Sequence, residues 1–74
     1  MIVEISNAEC LDDLVAFLRW ASCDAERVGK RTISVSLPDA PGDGAARREL
    51  ELYLAAWQAR HPGVRAVRKP RYDL

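Results

Sequence analysis

The stretch Ala21-Ser22-Cys23-Asp24-Ala25-Glu26-Arg27-Val28-Gly29-Lys30-Arg31-Thr32-Ile33-Ser34-Val35-Ser36-Leu37 decides the fold, because a helical pattern gives way to an extended one inside it. Ile33, Val35 and Leu37 alternate with Thr32, Ser34 and Ser36, so residues 31–37 read as a half-buried strand with one apolar and one hydroxyl-bearing face. Upstream, Leu11, Leu14, Val15, Leu18, Ala21, Ser22, Ala25 and Val28 recur at three and four residues and form one stripe of an amphipathic helix, with Phe17 at its margin. Gly29 stands where a left-handed glycine ends such a helix. On this reading one helix runs to Val28 and a strand follows almost at once.

Working outward, residues 1–5 have the β-branched content and alternation of a strand, with Met1, Val3 and Ile5 on one side. Ser6-Asn7-Ala8-Glu9 has the S-x-x-E spacing of a capping box, which starts the first helix. Downstream, Pro38-Asp39-Ala40-Pro41-Gly42-Asp43-Gly44 is loop chemistry, with Asp43 as the expected N-cap of a second helix. That helix reaches about His61, with Ala46, Leu50, Tyr53, Leu54, Trp57 and His61 on its core face, and Pro62-Gly63 ends it. Residues 64–68 make a third strand. Pro70 interrupts any ladder, which leaves 70–74 as a tail beyond a single domain of residues 1–69.

The order βαβαβ predicts parallel pairing through right-handed crossovers. Helices on both faces would bury Thr32, Ser34 and Ser36, so the expected α/β fold is a small two-layer sandwich with both helices on one face. Its three-stranded, mainly parallel sheet takes the order 1-2-3, the alternatives being 2-1-3 with helices on opposite faces or an antiparallel third strand.

With 74 residues, 49% apolar and 30% charged, the chain is one folded domain and not a disordered segment. Eleven basic residues balance eleven acidic ones, so net charge makes no case for a nucleic-acid or membrane partner. Two cysteines are too few for a disulfide scaffold. On one continuous helix, Cys10 and Cys23 would stand about 20 Å apart, against about 5.5 Å between the Cα atoms of a bridge. Free thiols, no basic leader and no apolar run of about 20 residues predict a cytoplasmic protein.

Charge is uneven along the chain. Residues 1–26 hold Glu4, Glu9, Asp12, Asp13, Asp24 and Glu26 against Arg19, whereas 60–71 hold Arg60, Arg65, Arg68, Lys69 and Arg71 with no acid. Arg65, Arg68, Lys69, Arg71 and Tyr72 are therefore the candidate anion or nucleic-acid contacts, cations with a stacking aromatic. A pI near 6.6 argues against a dedicated binder. Gly42-Asp43-Gly44 with Arg47 and Arg48 invites a phosphate reading, but neither glycine-rich fingerprint is complete. Compensation of the two arginines by Asp39 and Asp43 is expected instead.

No catalytic set, metal-binding spacing or cofactor motif can be assembled. His61 is the only histidine and belongs at a helix C-terminus, where imidazole meets free carbonyls; Cys23 has acidic neighbours that oppose a thiolate. Trp20 lies opposite the first helix's core stripe with Ala16, and Leu52, Ala55, Ala56 and Ala59 form a small-residue apolar strip opposite that of the second. These six are the candidate interface. The expectation is a small non-enzymatic interaction domain, without cofactor, that forms a homodimer through exposed helix surface or meets another protein there. Anion or nucleic-acid binding by the basic segment is the alternative.

Overall fold

The computed structural model describes residues 1–69. The expected tail, 70–74, lies outside the described residues. In chain order the elements are β1 (Ile2–Ile5), a 3-10 turn (Ala8–Cys10), α1 (Leu11–Trp20), β2 (Asp24–Arg27), β3 (Thr32–Ser36), α2 (Asp43–Ala59) and β4 (Ala66–Lys69).

The four strands form one sheet in the order β2-β3-β1-β4, and every neighbouring pair is antiparallel. This is an α+β fold, with the βαββαβ order of a ferredoxin-like domain built from two split βαβ units. It overturns the expected three-stranded, mainly parallel βαβαβ sandwich and its order 1-2-3. Of the three strands expected, the first lies between the other two and runs antiparallel to both. That spatial order was paired with parallel strands and helices on opposite faces in the 2-1-3 alternative, and the third strand is not the only antiparallel one.

The cause lies in the stretch that decides the fold. α1 stops at Trp20, eight residues before Val28. Ser22 adopts φ 69°, while its N–H donates to the Arg19 carbonyl and that of Cys23 to the Leu18 carbonyl at 2.9 Å. This bonding pattern is a Schellman cap with serine in the left-handed position glycine usually takes, and Cys23 and Leu18 are both buried in the core cluster. The chain emerges extended as β2. The Val28 N–H donates to the Thr32 carbonyl, closing a hairpin to β3. Gly29 therefore belongs to the hairpin turn, and Val28 is 54% exposed instead of facing the core.

The helix starts also differ from expectation. Asn7 Oδ1 accepts from the Glu9 N–H at 2.9 Å, whereas Ser6 Oγ accepts from the Arg65 N–H at 2.8 Å. No capping box forms, because Ser6 extends the pairing of β1 with the segment leading into β4. Gly42 takes the N-cap of α2 and Asp43 its first turn.

Register places Val3, Ile5, Ala25, Ile33, Val35 and Ala66 on one sheet face, where all are buried against Leu11, Leu14, Leu18, Leu50, Leu54 and Trp57 of the helices. Each fully buried large aliphatic there contributes about 1.5–3 kcal/mol. The opposite face carries Asp24, Glu26, Ser34, Ile2, Glu4, Val67 and Lys69 and has no covering layer among the described residues.

Candidate interaction surface on the helix layer

α1 and α2 lie antiparallel across the sheet. Asp13, early in α1, accepts from Trp57 Nε1 at 2.9 Å and meets His61 Nε2 at 3.2 Å at the end of α2. Beyond the other end of α1, Cys23 lies within the field of Glu49 and near Tyr53. His61 stacks on Trp57 with ring centroids 4.0 Å apart, and its Nδ1 is 2.9 Å from the Trp57 carbonyl. One carboxylate thus clasps the two helices. The expected role of His61 as a C-terminal carbonyl partner appears here together with a cross-helix contact that sequence spacing does not reveal.

Helical phase sets the outer surface. Arg19 and Asp12 turn toward β2, where Arg19 Nε donates to the Ala25 carbonyl at 3.0 Å and Asp12 pairs with Arg27 at 3.4 Å. Asp13 and Phe17 lie on the opposite flank, toward α2, and Trp20 stands on the outer face, opposite the core stripe. On α2, Gln58 and Glu51 turn toward β4, with Gln58 Oε1 accepting from the Ala66 N–H and Glu51 pairing with Arg68. Glu49, Tyr53, Ala56 and Leu52 therefore occupy the flank toward α1. Half-buried Phe17 and Tyr53 line the groove between the helices, and Trp20, 82% exposed, and Leu52, 65% exposed, rise on its two sides. Ala16, Ala55, Ala56 and Ala59 are all exposed on the same layer. The six expected interface residues come together on one side of the molecule. Cys23, Asp24 and Arg27, which a helix running to Val28 would carry on the same face as Trp20, do not join them: Cys23 is buried and the others belong to β2.

At the groove's end, burial pushes the Cys23 thiol up, with help from the charges of Glu49 and Asp24. Partial burial likewise raises the Tyr53 hydroxyl, followed by Glu49 and Cys23, and Tyr53 also donates to Glu49 at 3.4 Å. Both groups are held in their neutral forms. Both cysteines are free thiols.

The basic segment does not form one patch. Arg68 faces the helix layer and bonds Glu51 at 3.1 Å, while Lys69 on the opposite face pairs with Glu4 at 3.3 Å. Arg65 is exposed, and Arg71 and Tyr72 lie outside the described residues. A concavity of about 780 Å³ around the sheet's end does bring Arg47, Arg68 and Lys69 together, with Asp43 among them. Asp39 and Asp43 form no ion pair with Arg47 or Arg48 among the described residues, contrary to expectation. No cluster of three or more potential metal ligands occurs among the described residues, and no helix there is long and apolar enough to cross a membrane. The chain has no significant match to a family model, a curated protein or a solved structure.

Proposed function

We propose that this chain is a small non-enzymatic interaction domain of the cytoplasm that pairs with itself through its helix layer. The observation that carries this reading is Trp20, whose large apolar ring stands 82% exposed across a groove from Leu52. Burying one such side chain is worth up to about 3 kcal/mol, and a core this small supplies little more than about 3–5 kcal/mol by itself. Support for a non-enzymatic role comes from the Asp13–His61 pair, whose imidazole has both nitrogens engaged, one with the carboxylate and one with a backbone carbonyl.

Sedimentation equilibrium of the wild type, Trp20→Ala and Leu52→Asp tests the reading. A dimer at about 100 µM that both substitutions weaken is the expected result, since a dimer's apparent stability depends on protomer concentration. A wild-type monomer at that concentration, or a dimer indifferent to both changes, rejects it. The alternative draws on the cations around the end of the sheet. If it holds, single-stranded nucleic acid binds more tightly than about 10⁻⁵ M and loses affinity steeply as salt rises.

A further inference from the structure

We propose that the partner at this surface is a second copy related by a twofold axis running along the groove, so that α1 of each chain lies on α2 of the other. The proposal rests on the self-association reading above and specifies its geometry. The outer strip of α1 runs from Ala16 to Trp20, while Asp12, a turn earlier, is already engaged with Arg27 toward β2. That of α2 steps from Arg48 through Leu52 and Ala55 to Ala59, and Arg48 has no ion pair among the described residues. An axis parallel to the helices preserves their direction while exchanging their sides, so α1 lies antiparallel on α2 of the second copy.

Two contacts then form together. Trp20 comes between Arg48 and Leu52 of the second copy, a cation against an aromatic face beside an aliphatic one. Ala16 meets Ala55, where small side chains let two helices approach to about 8–10 Å. The other in-plane axis, perpendicular to the helices, lays like on like: it brings the Arg48 end of one α2 against the Arg60 end of the other, and it takes Trp20 away from Leu52. Juxtaposed like charges disfavour that arrangement. The molecule is 17 Å thick and 31 by 29 Å across, and a face of that breadth matches the roughly 800 Å² that each partner commits to a standard interface.

Single thiols on opposite strips test the arrangement. Ala16→Cys is made in one preparation and Ala55→Cys in another; both positions are exposed, so folding is spared. Each is oxidised with diamide alone and after mixing, and the bonded peptides are mapped to separate them from Cys10 and Cys23. The expected result is an inter-chain 16–55 disulfide in the mixture and none through either introduced thiol alone. A 16–16 or 55–55 bond overturns the geometry, as does a mixture that sediments as a dimer yet forms no 16–55 bond. A mixture that sediments as a monomer overturns self-association itself, so the two failures are distinct.

Discussion

The halves β1-α1-β2 and β3-α2-β4 are the same split unit built twice, yet they reach it by different local chemistry. α1 has 10 residues and hands the chain to β2 through a left-handed serine; α2 has 17 and hands it to β4 through Pro62-Gly63, with Gly63 at φ 90°. Each helix also sends one side chain to its own edge strand, Arg19 to the Ala25 carbonyl and Gln58 to the Ala66 N–H. Two unlike turns can thus serve one topology, provided that each satisfies the last carbonyls of its helix and that the helix guards the edge it creates.

The comparison breaks hardest at the point where the halves meet. Trp57 is 1% exposed and bonds Asp13 of the other half. Trp57→Ala is expected to cost about 3–5 kcal/mol, comparable to the whole stability of a domain this size, and so to abolish the cooperative urea transition at room temperature. A transition shifted by less than about 1 kcal/mol would show that the halves hold together without it.

The two turns predict opposite signs. Gly63→Ala places a side chain at positive φ and is expected to cost about 1–2 kcal/mol, whereas Ser22→Gly relieves that conformation and gains up to about 1 kcal/mol. Denaturant midpoints moving in opposite directions support the equivalence of the two positions; both falling would show that Ser22 has a role glycine cannot fill. The edge contacts are smaller still. Arg19→Ala and Gln58→Ala should each cost about 0.5–1.5 kcal/mol, with faster amide exchange confined to the strand each one guards.

The smallest effect is alkaline. Well below the ordinary thiol value of 9.0 the Cys23 thiol is protonated in both states and contributes nothing to pH dependence. Above it the unfolded thiol ionises while the buried one keeps its proton, so stability falls as pH rises toward the folded value. Cys23→Ala should flatten the first part of this loss and leave the part due to Tyr53, whose ordinary value is 10.0. An unchanged alkaline profile would remove Cys23 from the balance.

Sequence alone was enough for the elements with strong periodic signals. The alternation around Ile33 and Val35 marks β3 and its buried face, and the spacing of Leu50, Leu54 and Trp57 marks the core side of α2. Pro62-Gly63 marks the end of the second helix, and the placement of Trp20 and Leu52 opposite the core stripes follows from helical phase. The end of α1 was hidden because Ala25 and Val28 continue a three-to-four-residue spacing, and β2 has only one inward apolar residue, Ala25, too few to display a period of two.

Only the tertiary structure decided strand order and direction. Ser6 could cap its own helix, yet it bonds Arg65, 59 residues away. Local spacing contains no information about that choice. The first strand occupies the centre because a hairpin between β2 and β3 closes antiparallel, which puts β3 beside β1 and leaves the other side of β1 to β4. Once one left-handed serine turns the chain back after Trp20, every later pairing follows from burying both helices on one face of a single sheet.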